Sequence, residues 1–173
     1  MTPIQKKYWL YFFALLAFLL LTTTSLYYAL HKNIRLLAVS YLDTLKSNDS
    51  DLLMVSRVID GDTVELNDGS VIRYIGIDSP EKGKCYFEDS SKENKKLTLG
   101  KHVVIEKDKT DKDIYGRLLR YIWVDGVLIN HYLVKNGFAK SYPYPPDTKY
   151  QTVFDLAQKN AKDGGLGLWS SCK

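Results

Sequence analysis

The chain has 173 residues, 45% of them hydrophobic, which gives room for one domain of ordinary size and an appendage. Its net charge of +4 is unevenly placed: residues 1–50 carry +3, whereas residues 51–173 hold 19 basic against 18 acidic side chains. A domain so close to neutral excludes bulk electrostatic capture of a polyanion, so any phosphate recognition must come from a few placed arginines.

Residues 1–7 form a short tail carrying Lys6 and Lys7, and the 23 residues from Tyr8 to Leu30 contain no charge. As a helix rising about 1.5 Å per residue they would span roughly 35 Å, enough to cross a hydrocarbon core of about 30 Å. Tyr8, Trp9, Tyr11, Tyr27 and Tyr28 gather towards the two ends, where aromatic rings favour the membrane interface. No small-x-small cleavage site follows, so 8–30 is read as an uncleaved single-pass anchor in preference to a cleaved signal. Lys6 and Lys7 favour a cytoplasmic N-terminus and an extracytoplasmic domain, while Lys32 and Arg35 flank the other end. In the linker, 31–50, Ile34, Leu37, Tyr41 and Leu45 recur at amphipathic spacing, and Asn48-Asp49-Ser50 ends it with turn chemistry.

The domain, 51–173, opens with apolar strands expected at 52–59, 62–67 and 71–77. Asp60-Gly61 and Asp68-Gly69 read as tight turns in which glycine supplies a positive φ. Ser90 to Leu99 reads as an exposed helix ending at Gly100, and strands follow at 102–107 and 118–124. Asp125-Gly126 turns the chain into a helix over 127–136 with Ile129, Leu133 and Val134 on one face. Gly137 stands where a left-handed cap belongs. Pro143, Pro145 and Pro146 break the chain before a last helix over 148–161. The order predicts an α+β domain built on a five-stranded OB-fold β-barrel with about three helices, preceded by the transmembrane helix. Strand count alone would also allow an SH3-like barrel or a sandwich fragment.

Asp62 and Asp78 sit at opposite ends of an expected hairpin and can converge. Two carboxylates with a backbone carbonyl suit a hard cation such as calcium. His31, His102 and His131 are isolated from one another and from the cysteines, which argues against zinc. Taken singly, each aspartate is better explained as a turn cap, and Arg73 and Arg117 as solvated strand-end residues. Lys107 to Lys112 alternates in charge and reads as a solvated loop. Cys85 and Cys172 are either two thiols or, in an oxidising space, a bridge closing nearly the whole domain. Such a bridge would be worth roughly 4 to 5 kcal/mol in the chain-entropy treatment.

Taken together, several segments resemble the staphylococcal nuclease (thermonuclease) family. They are Val-Ile-Asp-Gly-Asp-Thr-Val (58–64), Arg-Tyr-Ile-Gly-Ile-Asp-Ser-Pro-Glu (73–81) and Asp-x-Tyr-Gly-Arg (113–117). Asn-x-x-Leu-Val-x-x-Gly-x-Ala (130–139), Tyr-Pro-Tyr-Pro-Pro (142–146) and Gly-Leu-Trp-Ser (167–170) continue the family's order, so that about 52–171 is covered. The resemblance implies calcium ligation by Asp62, Asp78 and the Ser79 carbonyl, with Glu81 as general base. It implies that Arg73 and Arg117 hold the phosphate, and that Tyr115 and Tyr142 contact a terminal phosphate or stack near a base. Three departures stand out: serine at 79 where threonine is usual, a short segment after Glu81, and Phe87 in place of glycine. The implied activity is calcium-dependent, low-specificity hydrolysis of DNA or RNA, leaving 3′-phosphate and 5′-hydroxyl ends, by a membrane-tethered enzyme. The alternative is a non-catalytic OB module binding nucleic acid or a protein, although no protein partner is implied.

Overall fold

The computed structural model describes residues 52–172, together with residues 20, 21, 27, 28, 31, 32, 34 and 35. The chain divides into two units, Met1–Asp51 and Leu52–Lys173. In the first, the eight described residues are helical and exposed, and the Tyr27 ring meets His31 edge-on at 4.3 Å. Most of the expected anchor over 8–30 and of the linker over 31–50 lies outside the described residues. Among the described residues no helix is long and apolar enough to cross a membrane.

The second unit has eight strands and four helices. The strands are β1 (Val55–Val58), β2 (Thr63–Leu66), β3 (Val71–Tyr74), β4 (Ile77–Asp78), β5 (Val104–Glu106), β6 (Leu118–Val124), β7 (Val127–Leu128) and β8 (Lys140–Ser141). The helices are α1 (Phe87–Thr98), α2 (Ile129–Lys135), α3 (Gln151–Asp163) and α4 (Leu168–Ser171). The main sheet runs β1-β2-β3-β6-β5 with β7 beside β6, and β4 pairs with β8 in a separate two-stranded sheet. All pairs are antiparallel except β3–β6. The expected five-stranded closed barrel with three helices is therefore corrected to an OB-like open path with four helices. Its two edges meet only through isolated bridges, Met54 with His102 and Val55 with Leu99.

Strand β6 is the element whose apolar run most nearly dictates its place, because Leu119, Tyr121, Ile122 and Val124 are all buried. Asp125 and Gly126 both take positive φ, 50° and 78°, and make a two-residue hairpin turn to β7 before the helix starts. The expected helix over 127–136 thus begins later, at Ile129, and Gly137 follows it at φ 74°, as the cap pattern predicts. The expected strand over 71–77 is broken at Ile75-Gly76. Gly76 has φ 77°, and a Cβ there would meet the Phe154 ring at 2.8 Å. Phe154 is fully buried, a contribution of about 1.5 to 3 kcal/mol, and it seats α3 under this break.

Asn130 holds the same break from the other side. Its side chain accepts the Ile122 N–H and donates to the Ile75 carbonyl, at 3.0 and 2.9 Å. Without it two backbone groups would be buried unpaired, each costing about 1 to 3 kcal/mol. Helix α1 departs from the exposed helix expected at 90–99. Ser90, Asn94 and Thr98 are completely buried on one stripe. Asn94 donates to the Asp60 carbonyl and accepts from the Tyr74 hydroxyl, so α1 is fastened to the sheet by hydrogen bonds. The loop from Lys107 is likewise tied down, since Asp147 accepts the N–H groups of Lys109 and Thr110.

Candidate active site

The break at Gly76 turns Asp78 back towards the start of β2, where Asp62 lies buried. Gly61 lets the two segments approach: a Cβ there would stand 2.6 Å from that of Ser79. Gly61 does not take the positive φ expected of it, so its role is space. The Ser79 N–H then donates to one Asp62 carboxylate oxygen at 2.6 Å, and Thr63 Oγ1 to the other at 3.1 Å.

Arg73 stands between the two aspartates. Its Nε lies 3.2 Å from Asp62, and an Nη2 hydrogen is donated to Asp78 at 3.2 Å. Nη1 donates to the carbonyls of Tyr74 and Ile77 at 2.7 and 2.8 Å. A guanidinium has five N–H donors, so Arg73 keeps little capacity for anything further. Arg117 is bound quite differently. Its Nε donates to Asp113 at 2.6 Å, its Cζ lies 5.5 Å from the Tyr115 ring centre, and its terminal nitrogens have no hydrogen-bond partner among the described residues. Arg73, Arg117, Tyr115 and Tyr142 line one cleft of about 240 Å³, with Tyr144 and Asp113. Tyr115 and Tyr142 are 78% and 55% exposed, so their ring faces are open to a ligand.

Glu81 is exposed and makes no side-chain hydrogen bond to a described residue, but it borders a second cleft with Asp78 and Ser79. Burial, then the nearby Asp62 and Glu81, pushes the Asp78 carboxyl above its ordinary range in spite of Arg73. Asp60 is raised by burial and by Asp62, whose N–H it accepts. Acids crowded around a single arginine, offering only hard oxygen donors, fit a hard divalent cation. Among the described residues no group of three or more His, Cys, Asp or Glu side chains encloses a metal-sized position. Asp62 and Asp78, each 3.2 Å from Arg73, are the two carboxylates such a cation could share.

All eight residues singled out from the sequence thus fall in one region: Asp62, Arg73, Asp78 and Ser79 in contact, Arg117, Tyr115 and Tyr142 along the first cleft, Glu81 along the second. Cys85 and Cys172 are joined by a disulfide, with Cα atoms 5.8 Å apart. Sequence reasoning missed Asp60, Asn94, Asp113 and Tyr144. Asp113 had a usable signal, since an aspartate four residues before an arginine across a glycine turn can bond both the turn and the guanidinium. It accepts the N–H groups of Tyr115 and Arg117 as well as Nε. Burial alone would raise Asp113, but these bonds hold it below the ordinary carboxylate range. Its contribution to stability is therefore present above the unfolded value of about 3.9 and is lost as pH falls through the lower folded one. Asp113→Asn is expected to flatten the acid limb of a stability-against-pH curve in that window. An unchanged limb in denaturant melts would contradict this.

The family described as Staphylococcal nuclease homologue matches residues 71–171. Over alignments of 127 residues the chain is 41% identical to Endonuclease YncB and 42% identical to SPbeta prophage-derived endonuclease YokF, both of Bacillus subtilis (strain 168). Each alignment takes in 67% of this chain, and the chain spans 60% and 43% of those two proteins. Against the Thermonuclease of Staphylococcus intermedius it is 38% identical over 125 residues, covering 67% of this chain and 74% of that one.

Proposed function

The chain belongs to the staphylococcal nuclease homologues, and on that premise we propose that it is a calcium-dependent nuclease of low sequence specificity. It would hydrolyse phosphodiester bonds of DNA, and of RNA, leaving 3′-phosphate and 5′-hydroxyl ends. The observation that carries the reading is that two arginines line one cleft, that Arg73 also faces Asp62 and Asp78 at 3.2 Å, and that Asp78 and Glu81 border the adjoining cleft.

Asp62, Asp78 and the Ser79 carbonyl would hold the calcium ion. When bound, the cation polarises a phosphoryl oxygen and offsets its charge. Glu81, exposed and free to turn, takes a proton from the attacking water. The bond from phosphorus to the 5′ oxygen breaks, that oxygen takes a proton from solvent, and Glu81 returns its own proton to solvent. Negative charge accumulates on the phosphoryl oxygens meanwhile, and a fixed cation lowers the barrier most where that charge develops. Arg117 presents its terminal nitrogens for this task, whereas Arg73 chiefly braces the two aspartates. Tyr115 and Tyr142 supply faces for stacking, which every base shares, so sequence preference stays low.

A tethered, extracytoplasmic placement is part of the same proposal. The uncharged run from Tyr8 to Leu30 supports the tether, and the Cys85–Cys172 bridge favours an oxidising space. The test is cleavage of single-stranded DNA by the full chain in calcium and in EDTA, with the product ends mapped. Calcium-dependent fragments bearing 3′-phosphates are expected. Binding without cleavage in either buffer would instead establish the non-catalytic module.

A further inference from the structure

The β4–β8 pair separates two clefts. Ile77 borders the one that holds Arg73, Arg117 and the tyrosines, and Asp78, the next residue, borders the other. This second cleft, about 390 Å³, runs from Asp78, Ser79 and Glu81 to Lys84 and Lys140, over buried Leu168 and the Cys85–Cys172 bridge. Its near end belongs to the proposed reacting centre. Its far, basic end has no part in the chemistry described so far.

Both lysines are placed by the fold. Lys140 is the cross-strand partner of Asp78, and directly opposed residues of an antiparallel pair stand on the same face. Lys84 follows Glu81 in a turn closed by its own N–H on the Glu81 carbonyl at 2.9 Å, and its neighbour Cys85 is bonded to Cys172. Lys96, Lys101, Lys107, Lys149 and Lys159 each face a carboxylate within ion-pair distance. Lys84 and Lys140 face none among the described residues. Two exposed cations therefore flank an apolar floor, immediately past the carboxylates of Asp78 and Glu81.

We propose that this second cleft is a nucleotide subsite, in which Lys84 and Lys140 bind the phosphate next to the scissile one, on the side away from Tyr115 and Tyr142. The inference rests on the nuclease reading above. A diester held at Arg117 and Glu81 has chain on both sides, and only one side enters the tyrosine cleft. The other must pass Asp78 and Glu81 before the lysines are reached. The cleft volume falls within the range of about 300 to 1,000 Å³ typical of ligand sites. Leu168 and the bridge offer apolar surface to a sugar or base, and the lysines act as sequence-independent point charges.

The experiment compares kcat/KM of the full chain on a dinucleoside monophosphate and on trinucleotides extended at the 5′ or the 3′ end, the added nucleotide carrying a distinct base so that product mapping scores cleavage of the original bond alone. Each extension carries one extra phosphodiester. Extension at one end is expected to enter the second cleft and to raise kcat/KM about tenfold. In the double variant Lys84→Ala/Lys140→Ala that ratio is expected to fall to near one, and in Lys84→Arg/Lys140→Arg to recover. The extension at the other end keeps its ratio in all variants. In parallel, the slope of log affinity against log salt for the longer strand should drop by about 0.7, the release for one single-strand phosphate contact. If the wild type cleaves the dinucleotide but gains from neither extension, or if the alanine variant keeps the gain, the subsite is refuted and the nuclease reading stands. If the wild type cleaves none of these substrates and no longer DNA, the nuclease reading fails and the subsite with it.

Discussion

Arg117→Ala is expected to lower turnover by a hundred- to a thousandfold while leaving the folded domain close to wild type in stability. The magnitude is that of removing one fixed donor from a developing oxyanion. The small cost in stability follows from the bonding. Asp113 would still accept two backbone N–H groups at 2.9 and 3.0 Å, so no carboxylate is stranded. Arg117→Lys should recover little, because an ammonium cannot bond Asp113 through one arm and a phosphate through a fork. Arg73→Ala should behave differently, losing stability and activity together, since its guanidinium serves two carbonyls and faces both aspartates. Turnover on single-stranded DNA, paired with denaturant melts of each variant, separates the two arginines. Near-wild-type turnover by Arg117→Ala would remove it from the reaction.

That difference between the arginines could not be read from the sequence. There, Arg73 and Arg117 are each one arginine near a strand end, and their unlike roles arise from what surrounds them in space. The sequence was most informative where one signal dominates, as in the apolar run of β6 or the glycine after α2. It was least informative where placement depends on a partner far along the chain. Helix α1 has few apolar residues and reads as solvated, yet Ser90, Asn94 and Thr98 are small polar residues whose hydrogen bonds permit burial. Strands β4 and β8 have two residues each, too few for any periodicity, and yet they carry Asp78 and Lys140. Asp60-Gly61 does lie in the loop of the β1–β2 hairpin, but its glycine takes no positive φ and instead admits Ser79. The motif residues themselves were legible because the spacing of acids and arginines is unlike that of an ordinary strand pair. Of their supports, Asp113 had a signal in its spacing to Arg117, whereas Asn94 had none, since its partners, the Asp60 carbonyl and the Tyr74 hydroxyl, lie far along the chain.

Cys85→Ser/Cys172→Ser is expected to destabilise the domain by about 4 to 5 kcal/mol. The bridge joins residues 87 apart, and in the chain-entropy treatment the loss grows with the logarithm of the loop it closes. Against a total of roughly 5 to 15 kcal/mol for a domain, this is about a quarter or more of the whole. For a domain of this size it corresponds to a fall in melting temperature of roughly 15 to 25 °C. Reductant should lower the wild-type melting temperature by the same amount and leave the double-serine protein unaffected. Well below the transition the reacting groups should remain in register, because Asp62, Arg73 and Asp78 are held by bonds to one another and to Ser79 and Ile77. Cleavage of a dinucleotide in the cold should therefore stay within a few-fold of wild type. The gain from a third nucleotide should shrink, since Lys84 depends on the bridge for its place. A melting temperature indifferent both to reductant and to the serines would mean that the unfolded chain is already compact enough to gain nothing from the link.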